Sequence, residues 1–204
     1  ILERDMAKKN FYAVKRGMCP GIYGSWDECR AQVDGFPGAE FKGFATKEEA
    51  CDYLGISYEE SYEVISDCLE IYVDGSYDAV TNTFSYGMVV LKEGYEYTFS
   101  EKLEDEEMAK MHNVAGEIKG AEAAMRYAVD NNEKRLVIYH DYEGIAKWCT
   151  REWKASKPGT QAYRDYYDSV KEKVNIQFVK VKGHSNNKYN EMADKLAKKA
   201  LGLL

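Results

Sequence analysis

Leu69-Glu70-Ile71-Tyr72-Val73-Asp74-Gly75-Ser76 is the stretch on which the reading of this chain turns. A mostly apolar, β-forming run meets a carboxylate and then a Gly-Ser break, the pattern of a buried strand ending on an acid. A second run, Leu136-Val137-Ile138-Tyr139, leads to Asp141. Between the two, Val114, Ile118, Ala121, Met125 and Ala128 recur at helical spacing, which predicts a helix from about Asn113 to Asp130. Glu117 interrupts its apolar face. Asp194 stands among Met192, Ala193, Leu196 and Ala197 on a last helix from about 188 to 201. Each acid has an ordinary explanation alone. Asp74-Gly75 suits a turn, Glu117 a half-exposed helix position, Asp141 a helix cap, and Asp194 an i, i+4 pair with Lys198. All four together, in this order, point to one shared acidic site.

Gathering carboxylates is costly: one pair at ~4 Å repels by about 4 kcal/mol at an effective dielectric of ~20. A positive occupant is therefore expected. Oxygen donors without histidine or thiolate favour Mg²⁺, with Mn²⁺ as a substitute, over zinc. Two such ions ~4 Å apart suit phosphodiester hydrolysis.

Strands are expected at 68–74, 83–92 and 95–100, then the long helix and a strand at 135–140. A helix at 142–149, an aromatic-rich helix near 161–173, a strand at 175–181 and the final helix follow. A three-strand meander followed by alternating helix and strand implies an α/β fold, a mixed five-stranded sheet with flanking helices. The first and fourth strands can then end side by side, bringing Asp74 near Asp141. Residues 11–54 read separately, as strand, strand, helix, strand, helix. Ser25 with Glu28 and Thr46 with Glu49 form capping boxes at the two helix starts. The expected organisation is a small α+β domain at 6–54, an acidic linker at 55–66 and a larger domain at 67–204.

The net charge of −7 argues against indiscriminate nucleic-acid binding, but residues 67–133 are strongly acidic and residues 134–204 basic. One half of the larger domain can face phosphates. No apolar run approaches the ~20 residues of a membrane span, and the polar N-terminus does not read as a signal peptide. Met6-Ala7-Lys8-Lys9 reads as a natural start preceded by five extraneous residues. Five cysteines, odd in number and without CxxC spacing, suggest reduced thiols and a cytoplasmic protein, expected to be a monomer.

The larger domain resembles type 1 ribonuclease H. The resemblance rests on Tyr72-Val73-Asp74-Gly75-Ser76, Asn113-Val114-Ala115-Gly116-Glu117, Tyr139-His140-Asp141, Lys182-Gly183-His184-Ser185 and Asn190-Glu191-Met192-Ala193-Asp194. It implies the ribonuclease H fold and two-metal hydrolysis of the RNA strand of an RNA–DNA hybrid. Asp74, Glu117, Asp141 and Asp194 would hold the ions. His184, in a polar loop, would assist proton transfer or product release, a role suited to its near-neutral pKa. His112 and His140 lack such counterparts and are expected to be structural, and Glu191 to be a helix N-terminal acid. Asn113 would touch sugar hydroxyls, which distinguish RNA from DNA. Val114 stands where the family often has Gln or Asn. Trp148 and Trp153, with Arg151, Lys154 and Lys157, resemble a shortened basic protrusion that holds the DNA strand, and Thr160 is a further candidate for a phosphate contact.

Residues 11–54 resemble the N-terminal hybrid-binding, viroplasmin-like domain of eukaryotic-type ribonucleases H. Phe11-Tyr12-Ala13-Val14-Lys15-Arg16-Gly17, Trp26-Asp27-Glu28-Cys29 and Phe41-Lys42-Gly43-Phe44 carry that likeness. Trp26 and Phe41 would lie on DNA sugars, with Tyr12 and Lys42 on the backbone. Gly43 replaces a usual second basic residue, so weaker hybrid binding is expected.

Overall fold

A computed structural model describes residues 9–58, 68–92, 94–182 and 187–204. The chain divides into two compact units, Ile1–Asp67 and Cys68–Leu204. Much of the expected linker, residues 59–66, lies outside the described residues, as do Met6 and the five residues before it.

In the first unit, β1 (Phe11–Arg16), β2 (Gly21–Tyr23), α1 (Trp26–Val33), β3 (Glu40–Phe44) and α2 (Lys47–Leu54) follow one another. The strands make an antiparallel sheet in the order β2-β1-β3. Both helices start where local chemistry dictates. Ser25 Oγ accepts from the Glu28 amide at 3.2 Å, and Glu28 Oε2 accepts from the Ser25 amide at 3.1 Å. Thr46 and Glu49 repeat the exchange at 3.3 and 3.4 Å, filling N–H groups the first turn would leave unpaired. The core is split by strand alternation. Ala13, Ile22, Ala50 and Cys51 cluster in one group and Val14, Cys29 and Val33 in another.

The second unit runs β4 (Leu69–Asp78), β5 (Thr83–Lys92), β6 (Tyr95–Leu103), α3 (Glu106–Ala109), α4 (Asn113–Asp130), β7 (Arg135–His140), α5 (Gly144–Cys149), α6 (Pro158–Val170), β8 (Asn175–Lys180) and α7 (Lys188–Ala200). Its sheet has the order β6-β5-β4-β7-β8. The β4–β5 and β5–β6 ladders are antiparallel, and β4–β7 and β7–β8 are parallel. Ile71, Val73, Phe84, Met88, Ile118, Met125, Leu136 and Ile138 lie within its continuous core.

Several elements differ from the sequence expectation, and β6 runs on to Leu103 instead of ending at 100. β4 does not stop at Asp74, because β5 goes on pairing with it from Asp74↔Gly87 to Asp78↔Thr83. The four-residue α3 is too short to show a period; Asp105 caps it by accepting from the Met108 amide at 2.9 Å. α6 begins at Pro158, a residue suited to the first helical position. The thiols also need correction. Cys29, Cys51 and Cys149 are free and buried, but Cys19 and Cys68 are each disulfide-bonded rather than reduced; an odd count requires only that at least one thiol stay free. Among the described residues no helix is long and apolar enough to cross a membrane.

Candidate active site

The parallel pairing of β4 with β7 ends at Tyr72↔Tyr139. Asp74 and Asp141 each lie two residues beyond that last pair, where the two strands part. Strand alternation and the Asp74↔Gly87 pairing put Asp74 and Gly87 on the same face of the sheet, and Gly75 on the other.

Three glycines then fix the helices. A Cβ on Gly75 would sit 2.3 Å from the Asn113 carbonyl oxygen and 2.4 Å from the Glu117 nitrogen. One on Gly116 would sit 2.0 Å from the Ser85 carbonyl oxygen. α4 therefore lies with its first turn directly on β4 and β5, which places Glu117 beside Asp74. On the opposite face, a Cβ on Gly87 would sit 2.0 Å from the Ala193 carbonyl oxygen. Ser85 Oγ donates to the Ala197 carbonyl at 2.7 Å. α7 is seated there, and Asp194 is carried to the same end of the sheet.

Asp74, Glu117 and Asp141 each offer a carboxylate oxygen within 4.8 Å of the other two. Glu117 is 1 % exposed and Asp74 8 %. Burial, then the Asp141 charge, pushes the Asp74 carboxyl up to about 7, although the Gly75 amide donates to its Oδ1 at 2.7 Å. Burial, then Asp74 and Asp141, holds Glu117 well above the usual carboxylate range. Glu117 Oε2 is buried with no hydrogen-bond partner among the described residues. Two buried carboxylates and a half-buried third, their mutual repulsion and one unsatisfied acceptor are what a hard divalent cation relieves; the donor set fits such an ion.

Asp194 is not in that trio. It lines the same cleft of about 420 Å³ with Gly75, Asn113, Asn190 and Glu191, and its charge contributes to raising Asp74. Its Oδ2 accepts from Lys198 Nζ at 2.7 Å, so the i, i+4 pair and the site position coexist. Asp141 is not a helix cap: the residue before α5 is Glu143. His184 lies outside the described residues.

The cleft holds residues not assigned from the sequence. Lys198 and Glu191, read from the sequence only as the i, i+4 partner of Asp194 and a helix N-terminal acid, both line it. Asn190 Oδ1 is buried without a partner among the described residues. His112, expected to be structural, is exposed, lines the cleft beside Asn113 and lies tilted against Tyr77 with ring centres 4.7 Å apart. Its φ of 56° is a strained value for a non-glycine residue. His140 is buried, its Nδ1 3.0 Å from the Tyr142 carbonyl, and burial lowers it to about 4.

The proposed nucleic-acid contacts divide. Asn113 is exposed in the cleft, while Val114 turns partly into the core. Trp153 is 38 % exposed, with Lys147 Nζ 5.2 Å from its ring centre; Lys154 and Lys157 are exposed nearby in sequence. Trp148 is 8 % exposed and packs edge-on to Trp153 at 6.2 Å, so it supports the surface rather than forming it. Thr160 is a correction. It is 3 % exposed, and its hydroxyl accepts from the Lys157 amide and donates to the Lys157 carbonyl, closing the start of α6. In the first unit Tyr12, Trp26 and Phe41 form an aromatic row with ring centres 5.7 and 5.8 Å apart. Trp26 and Phe41 stay 44 % and 41 % exposed. The space a side chain on Gly43 would need is taken by Lys9 and the Tyr12 ring.

The sheet and its acidic cleft define the ribonuclease H-like class of folds. The archaeal RNase H1 of Halobacterium salinarum NRC-1 superposes with a TM-score of 0.55 at 20% identity, over 66% of this chain and 98% of that one. LC11-RNase H1, solved in complex with an RNA/DNA hybrid, gives 0.52 at 18% identity, over 65% and 99%. The family model for RNase H matches residues 66–202, and that for the ribonuclease H1 N-terminal domain matches residues 10–54. The chain belongs to the ribonuclease H family. Ribonuclease H1 of Homo sapiens is 27% identical over 252 aligned positions, covering 92% of this chain and 88% of the relative. Ribonuclease H of Saccharomyces cerevisiae is 52% identical over 46 residues, 22% of this chain and 13% of the relative.

Proposed function

We propose that the second unit hydrolyses the RNA strand of RNA–DNA hybrids with two divalent ions, Mg²⁺ in the first instance, leaving 5′-phosphate and 3′-hydroxyl ends. The observation that carries this reading is the carboxylate trio, two of its members buried, with an unpaired Glu117 oxygen. Asp74, Glu117 and Asp141 would hold the ions, with Asp194 completing the set once it exchanges Lys198 for a cation. When bound, the ions supply Lewis-acid stabilisation of charge on the attacking and leaving oxygens. The protein's part is positioning. Gly75, Gly87 and Gly116 let two helices and two strands bring their acids together without reorganisation during the reaction. Asn113, exposed at the cleft, reads the sugar hydroxyls of the RNA strand. His184, from its polar loop, serves proton transfer or product release. In the first unit, Trp26 and Phe41 offer stacking faces flanked by Tyr12 and Lys42, a surface for the DNA strand. That unit, covalently joined, raises the local concentration of hybrid.

The test is cleavage of end-labelled RNA–DNA hybrid, RNA duplex and DNA duplex with Mg²⁺. Cleavage confined to the hybrid, and lost by about a thousandfold or more in Asp74→Asn, is expected. Equal cleavage of duplex DNA, or full activity in Asp74→Asn, would discard the assignment.

A further inference from the structure

β6 is an outer strand of the five-stranded sheet, nine residues long, and every residue from Tyr95 to Lys102 is exposed. Among the described residues no strand pairs with its outer side. Long open edges are templates for further pairing. The register with β5 puts Tyr95, Tyr97 and Phe99 on the same face as Lys92, Val90 and Met88, the face that carries the core. α4 meets this outer row at Tyr127, 5.6 Å from the Phe99 ring centre. Tyr95, Tyr97 and Phe99 remain 66 %, 46 % and 40 % exposed. The apolar face of the sheet is one strand wider than the helix covering it.

We infer that this edge pairs with the β6 edge of a second copy of the chain, antiparallel and two-fold about Phe99. Sequence complementarity selects the occupant and the register. Symmetry requires facing residues to lie on the same side of the joined sheet, which leaves registers two residues apart. With Phe99 facing its own copy, Tyr97 faces Glu101, Tyr95 faces Leu103, Thr98 faces Ser100, and Glu96 faces Lys102. Each unlike pair occurs twice, giving two opposite-charge pairs on one face and, on the other, a central Phe99 pair and two Tyr95–Leu103 pairs, with Glu101, already the acceptor of Tyr86 Oη, facing Tyr97. A shift of two residues one way sets Glu96 against Glu104; the other way sets it against Ser100 and leaves Lys102 facing Gly94. Glu96 already accepts from Lys188 Nζ at 2.7 Å and Tyr189 Oη at 2.9 Å, and a carboxylate has acceptor capacity left for Lys102. This dimer departs from the monomer expected from the sequence and does not depend on the catalytic reading.

Sedimentation of the full chain across low to high micromolar concentration tests it. A reversible dimer is expected, with at least a tenfold weaker association in Phe99→Lys and in Lys102→Glu. A parent chain that stays monomeric, or a dimer indifferent to Phe99→Lys, overturns the proposal. Should Phe99→Lys fail to fold, single cysteines read the register directly. Facing Cα atoms of an antiparallel pair lie ~4.5–5.5 Å apart, within disulfide reach. Under mild oxidation Phe99→Cys should form a covalent dimer absent from the parent. Tyr97→Cys alone should not, but mixed with Glu101→Cys it should. Equal self-crosslinking of Tyr97→Cys and Phe99→Cys, or none in Phe99→Cys, excludes this pairing.

Discussion

At the scale of single residues, the site is a balance of costs. Asp74 keeps its proton to about pH 7 in the folded, ion-free protein because burial and the Asp141 charge disfavour the anion. The unfolded carboxyl releases its proton near 3.8. The raised group thus contributes stability fully present below about pH 4, and lost as pH rises through about 7. In chelator, Asp74→Asn, which cannot ionise yet can still accept from the Gly75 amide, should be more stable than the parent at pH 8. The gap should be about 3–4 kcal/mol, judged from like charges within 4.8 Å at a dielectric of ~20. It should close by pH 4. Thermal melts of both proteins at the two pH values check this, and a gap that does not shrink on acidification refutes it. Adding Mg²⁺ at pH 8 should raise the parent's midpoint and leave Asp74→Asn nearly unmoved, since only an intact site gains binding energy.

At the scale of elements, the acids are placed by backbone contacts more than by side-chain packing. α4 touches β4 and β5 at Gly75 and Gly116, and α7 touches β5 at Gly87. Gly116→Ala would push a methyl against the Ser85 carbonyl, which has no rotamer with which to yield. Loss of about 2–3 kcal/mol is expected from such overpacking, with cleavage falling further than stability because Glu117 follows directly. Gly35 has open space around it, but its φ of 73° strains a larger residue; Gly35→Ala should cost about 1 kcal/mol and leave hybrid cleavage by the second unit unaltered. Urea titrations with parallel kcat measurements distinguish the two. These contacts were not legible. A glycine in a strand or helix reads in sequence as weakness, and only the partner backbone shows that a side chain would collide. The capping boxes at Ser25 and Thr46 were legible, because donor, acceptor and spacing are local. Thr160 shows the limit: its residue type suits a phosphate contact, but α6 starting at Pro158 uses its hydroxyl for the cap.

At the scale of the whole molecule, two units of one chain divide the work of binding and cutting in the proposed function. Trp26→Ala removes one exposed stacking face at about 1–3 kcal/mol by the scale of base–aromatic contacts. It should raise KM for long hybrids by about 5- to 150-fold and leave kcat within twofold, because the carboxylates are untouched. A fall in kcat with KM unchanged would assign Trp26 to the fold of its unit instead. A mixed five-stranded sheet, the side-by-side ends of its first and fourth strands and the presence of four acids at strand and helix positions could be read directly, since hydrophobic period and chain order limit the topologies; the full order β6-β5-β4-β7-β8 came from the structure. The sequence by itself determined which carboxylates exist, which elements carry them and which helices are capped, because these depend on neighbours a few residues away. Only the tertiary structure decided that β4 runs on past Asp74, that Trp148 is covered while Trp153 is not, and that β6 is left open. Those outcomes depend on which distant backbones come within van der Waals contact, and no local pattern encodes that distance.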